Sequence, residues 1–308
     1  MRFRSLAVVP VAAALFGTAA ATVPPSPSDH PQAPPALTQP SLAARYAADQ
    51  RAVTADEGAA TRSGDTQLAS ALAALRSRQV LFFDPQGNGL AAVVIGDLAT
   101  ARRVAIVVPG SDTTLSTFFS RGTASPGGAA AALAAQAQAL DPDSHLAVIA
   151  WLGYTAPALV STAVLTSGDA AAGVPALRTL VAAVAGHGAQ VALVCHSYGS
   201  VVCGLAARDL PVTDIAVVGS PGMDASSAAA LGTSARVWAG RGSGDWIGDV
   251  PHIRLLGLGF GADPMSSGFG ARIFATGSGD HSDYFQPGSV SLRNLAWIAL
   301  GHPAQVTR

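Results

Sequence analysis

Residues 193–204, LVCHSYGSVVCG, put a serine where a run of small apolar residues meets an alanine- and valine-rich stretch. A serine hydroxyl attacks an acyl carbon only if it is exposed, has a base within hydrogen-bond reach and lies beside donors for the developing oxyanion. A sharp strand-to-helix turn meets the first need and part of the third. It lifts the hydroxyl above the sheet and aims the amides of the helix start at the reacting carbonyl. Such a turn is tight, so the residues two before and two after Ser197 must be small. Gly199 meets this requirement, and Cys195, larger than glycine, stretches it. The bland reading of the string is a strand–loop–helix junction with a surface serine, which a chain with 33 glycines can produce by chance.

The surrounding elements decide between the two readings. The spacing predicts amphipathic helices over 41–57 and 65–78, the second capped by Asp65 or Thr66, and a hairpin around Asp84-Pro85-Gln86-Gly87-Asn88-Gly89. Strand-like 103–110, 145–153, 190–196, 214–222, 235–240 and 271–277 then alternate with helix-like 126–140, 169–186, 199–208, 224–231 and 289–301. A Gly-rich irregular stretch follows 240. Strands buried on both faces read as continuous Val/Ile/Ala runs, as these do, and their alternation with helices implies right-handed crossovers in a mostly parallel sheet. The expected fold is α/β, with eight strands, helices on both faces and an antiparallel hairpin at the start. Ser197 follows the fifth strand and opens a helix.

The 308 residues are 49% hydrophobic and 12% charged, enough apolar material for a large core. All eighteen basic residues are arginine and the net charge is −1, which points away from nucleic acid as a partner. MRFR, the apolar LAVVPVAAALF and the small GTAAA have the layout of a secretory signal peptide over 1–21, with cleavage near Ala21 and no cysteine nearby to carry a lipid. An N-terminal membrane anchor is the alternative. Pro10 and the short apolar run argue against it, so no stable span is expected after cleavage. Residues 22–40 read as a Pro-rich disordered tether, 41–78 as an N-terminal helical segment and 79–308 as the main domain.

Over roughly 79–301 the chain resembles an α/β-hydrolase, and more narrowly an actinobacterial family catalogued as a domain of unknown function. The resemblance rests on VVPGSDTT (107–114), AWLGY (150–154), VCHSYGSVVCG (194–204), VGSPGM (218–223), GADP (261–264) and GDHSDYF (279–285). It implies catalytic residues in the chain order Ser, acid, His. The base should lie just past the last strand, where His281 follows Gly277, while His196 is expected to pack and bond to backbone. For the acid, Asp245 after strand 235–240 is favoured, with Asp224 and Asp249 kept as alternatives and Asp280 as a decoy. The Tyr198 amide and a second amide near Gly110-Ser111 would hold the oxyanion, unless Ser111 and Asp112 merely cap the next helix.

These residues imply a secreted serine hydrolase that cleaves a small or lipid-like carboxylic ester through an acyl-enzyme on Ser197. An acyltransferase, a thioesterase, a peptidase and a non-catalytic binding module are the alternatives. Only about fifteen residues separate strands 214–219 and 235–239, too few for a cap domain. An open cleft should therefore be bordered by loops 111–125, 152–168 and 242–270, with Phe260, Met265 and Phe269 as apolar wall or core plugs. Neither a metal-ligand spacing nor a dinucleotide turn is present, so no cofactor is implied. Cys195 and Cys203 are a disulfide pair or two buried thiols, and the oligomeric state is open.

Overall fold

The computed structural model describes residues 38–250, 252–253 and 257–308. The leader and most of the tether lie outside them. Helix α1 runs over Gln39–Ser63, six residues beyond the expected end, because 58–63 holds no proline; it stops where the Gly64 amide donates back to the Ala60 and Thr61 carbonyls. It also begins inside the expected tether, with Pro40 in its first turn, where the missing N–H costs nothing. Helix α2 (Thr66–Arg76) is capped by the Asp65 carboxylate, which accepts from the Leu68 amide.

The hairpin β1 (Gln79–Asp84) and β2 (Leu90–Ile95) precedes β3 (Arg103–Val108), α3 (Pro126–Leu140), β4 (Leu146–Leu152), α4 (Gly168–Gly186) and β5 (Gln190–His196). Then come α5 (Gly199–Ala206), β6 (Asp214–Val218), β7 (Gly222–Ala225), β8 (Arg236–Gly240), β9 (Phe260–Gly261), β10 (Arg272–Ile273) and α6 (Val290–Leu300). Eight strands form one sheet in the order β1-β2-β4-β3-β5-β6-β8-β10; β1–β2 and β2–β4 pair antiparallel and the rest parallel.

Alternate residues of β3 divide between two cores. Val104, Ile106 and Val108 face α4 and α5, whereas Ala105 and Val107 face α3 and α6. The apolar runs are continuous because both faces are covered. α1 packs beside β1 and sends Leu42 into one core and Val53 into the other.

Two expectations are corrected. The helix expected over 224–231 is replaced by β7, paired parallel with β9, and a short 3₁₀ turn at Ala229–Leu231. Asp224 has φ +55°, outside the right-handed helical region, and pairing with Phe260–Gly261 takes up the backbone that a helix would have used. The last strand pairs only over Arg272–Ile273, because the chain turns away through Phe274 toward the segment holding His281. No cap is inserted between β6 and β8.

Candidate active site

The strand order reverses where β4 and β5 flank β3, and ligand crevices form at the carboxyl ends of strands at such a point. The chain leaves β3 through Gly110 and β5 through Ser197. Ser197 has φ +53°, a conformation that costs a non-glycine residue of the order of 1–2 kcal/mol. Its amide donates to the Val218 carbonyl (3.0 Å) and its carbonyl accepts from the Ser200 amide (2.9 Å), so both neighbours fix the turn.

Two glycines let the β3 end approach the turn. A Cβ on Gly199 would fall 2.5 Å from the Pro109 carbonyl oxygen, and one on Gly110 would fall 2.6 Å from the Ser197 Cβ. The position two before Ser197 faces the α5 side instead. There Cys195 is bonded to Cys203 across 6.6 Å between Cα atoms, so the larger residue is accommodated as a tie between β5 and α5.

His281 Nε2 lies 2.9 Å from the Ser197 Oγ, and its Nδ1 donates to the Asp245 carboxylate at 2.9 and 3.1 Å. Asp245 follows β8 and is buried, and it also accepts from the Ile247 amide (2.9 Å) and from the Tyr284 hydroxyl. Burial alone would raise its carboxyl, but the donors from His281, Tyr284 and Ile247 outweigh burial and hold it below the usual range. Burial and the bond to that carboxylate push the Tyr284 phenol far up, so it stays a donor; its oxygen accepts from the Gly242 amide at 3.1 Å. The His196 Nε2–H donates to the His281 carbonyl at 2.8 Å. Burial, then the neighbouring His281 ring, pulls the His196 pKa down to about 4, so this ring is neutral at pH 7.

The alternative carboxylates stand elsewhere. Asp249 is exposed one short turn past Asp245. Asp224 borders a different hollow with His252 and Ile253, and Asp280 accepts from the Ser282 amide at 2.8 Å. Gly110 and Ser111 line the cleft with Ser197 and His281. The Ser111 and Tyr198 amides are taken up by no carbonyl among the described residues. The Tyr198 ring points into the core, its hydroxyl donating to the Thr166 carbonyl at 2.7 Å. Asp112 does not cap a following helix; its carboxylate accepts from the Leu159 amide at 2.9 Å.

The cleft encloses about 240 Å³, and its apolar walls are Leu159, Trp246 and Pro126. Phe260 and Phe269 are core plugs: both are buried, and Phe260 packs edge-on to Tyr198 at 5.6 Å between ring centroids. Met265 is packed against the same core. Tyr284 and Trp246 were not legible as site residues. Tyr284 falls within the quoted GDHSDYF, three residues past His281, and that proximity was the available signal. The Trp246 ring lies 4.8 Å from the His281 ring.

Residues 84–255 match the model of an α/β-hydrolase family, a span that holds Ser197 and Asp245 and stops before His281. The chain belongs to the α/β-hydrolase family. An uncharacterized protein of Mycobacterium tuberculosis is 33% identical over 256 residues, covering 71% of this chain and 39% of its own length. This hydrolase-family chain thus spans about two-fifths of that relative. An uncharacterized protein of Mycobacterium bovis is 34% identical over 150 residues, 46% of this chain and 56% of its own. Among solved structures, an α/β serine hydrolase without lid from Xanthomonas campestris aligns at 13% identity, 72% of this chain, 93% of that one and TM-score 0.44. A carboxyl esterase from Tuber melanosporum aligns at 11% identity, 74% and 87% coverage and the same TM-score.

Proposed function

We propose that this α/β-hydrolase is a serine hydrolase that cleaves carboxylic esters through an acyl-enzyme on Ser197. The observation that supports it most is the unbroken hydrogen-bond chain from the Ser197 hydroxyl through His281 to the buried Asp245. In this reading the neutral His281 Nε2 takes the serine proton as Oγ attacks the ester carbonyl. Asp245 fixes the tautomer and stabilises the imidazolium, and Tyr284 and His196 act as positioning residues for the acid and the base. The Tyr198 and Ser111 amides beside Gly110 hold the oxyanion, a contribution of about 3–4 kcal/mol per donor. The imidazolium then protonates the leaving alkoxide, and a water activated by the same ring releases the acid and restores Ser197.

The leader layout and the Cys195–Cys203 bond support export to an oxidising compartment. A panel of p-nitrophenyl esters of rising acyl length tests the reading. Turnover on at least the short members, abolished by Ser197→Ala, is expected, whereas equal rates for wild type and the variant would overturn it.

A further inference from the structure

Eight large hydrophobic side chains are exposed among the described residues, and all but Ile273 lie within 159–165 or 246–258. Scattered single exposures are ordinary, but a cluster at one place marks a binding surface. Leu159 and Trp246 are themselves walls of the cleft. The Gly259 amide donates to the Leu165 carbonyl at 2.9 Å, so Leu258 and Leu165 sit where the two loops meet. The Asp112 amide donates to the Pro157 carbonyl (3.0 Å) and its carboxylate accepts from the Leu159 amide (2.9 Å). The loop is thereby held, yet Val160 next to it is 99% exposed. Such an arrangement spends backbone hydrogen bonds to present an apolar side chain to solvent.

Location and charge narrow the occupant. A protein or a second copy seated permanently on Leu159 and Trp246 would close the entrance to Ser197, whereas a lipid surface would deliver substrate to it. Residues 157–165, PALVSTAVL, carry no charge and 246–258 carry one Asp and one Arg, so the rim has no net charge and adsorption would come from apolar burial and not from attraction to anionic headgroups. We propose that Leu159, Val160, Leu165, Trp246 and Leu258 form a docking rim for a neutral lipid surface, and that the ester taken into the cleft is one presented from that surface. The second half rests on the reading of Ser197 as an ester-cleaving nucleophile; the docking does not.

The test uses the full chain carrying Ser197→Ala and vesicles of phosphatidylcholine brominated in its acyl chains, which quench tryptophan at the surface. Of the four tryptophans, Trp151 and Trp238 are buried and Trp297 is half-buried near the end of α6, beside the amino end of β3 and away from the rim, so exposed Trp246 dominates the response. Emission should fall on adding vesicles. Val160→Asp with Leu165→Asp should raise the lipid concentration for half the effect by roughly tenfold or more, and the milder Val160→Ser with Leu165→Ser should raise it less. Replacing a quarter of the lipid by phosphatidylglycerol should not tighten adsorption. With Ser197 intact, the rim variants should turn over dissolved p-nitrophenyl acetate like wild type, which shows that they fold. Absence of quenching, or equal quenching in all rim forms, overturns the proposal. A dimer that the substitutions dissociate, without quenching, gives the rim to a second copy and also overturns it. Quenching without ester turnover in any form would remove the hydrolase reading and leave the docking.

Discussion

Ser197, His281 and Asp245 at the floor of the cleft are each held by several partners, whereas Val160 and Trp246 at its rim face solvent. The floor combines a strained serine, a neutral, half-buried His196 and a carboxylate kept ionised by three donors. All of these settings are made before any substrate arrives, which is the condition under which fixed dipoles lower a barrier. The rim is fixed in its backbone at Asp112 but leaves its apolar side chains uncovered. In the proposed function the difference separates two properties: the floor would set how fast a bound ester reacts, and the rim which esters are brought to it.

Substitutions can break this division at graded strength. Asp245→Asn should lower kcat about ten-thousand-fold with little change in KM, because the amide favours the wrong His281 tautomer. The loss should be the same for dissolved and lipid-presented esters, read by steady-state assays with both. Replacing Cys195 and Cys203 together by serine frees an eight-residue span and should cost about 2–3 kcal/mol of stability, read from urea unfolding. Tyr284→Phe removes one charge-assisted donor from Asp245 and should lower kcat about tenfold at unchanged KM. Its signature is an Asp245 carboxyl that titrates higher by NMR, which a merely structural role would not produce.

The smallest effect concerns His196. Its folded pKa of about 4 lies below the unfolded value near 6.5, so the unfolded chain binds the extra proton between those values. That contribution to stability is complete above about pH 6.5 and is lost as pH falls toward 4. Urea midpoints measured at pH 7 and 5 should differ less in His196→Gln than in wild type.

The regular half of the molecule was legible in the chain because its strands are buried on both faces. RVAIVV and QVALVCH can be little else than central strands, and a serine between QVALVCH and GSVVCGLA must sit at the sheet edge. The order of Ser197, Asp245 and His281 came from the resemblance to α/β-hydrolases, laid over those strands. What escaped depends on contacts between distant segments. DASSAAAL (224–231) has helical composition, yet Ala225 near its start pairs with Gly261, a partner some 35 residues on that no local pattern announces. Phe260 and Phe269 were candidates for the cleft because they lie in a loop, but the loop folds both into the core, Phe260 edge-on to Tyr198. Tyr284 reaches Asp245 across 39 residues, so its role follows from packing and not from spacing. Cys195, read as a strained replacement for glycine, is explained only by where Cys203 lies on α5.

The most direct test of the nucleophile is to treat the full chain with a fluorophosphonate and locate the adduct by peptide mass spectrometry. The account predicts one adduct per chain, on Ser197, lost in His281→Ala as well as in Ser197→Ala. An unlabelled chain, or a label on another residue that persists in Ser197→Ala, would contradict it.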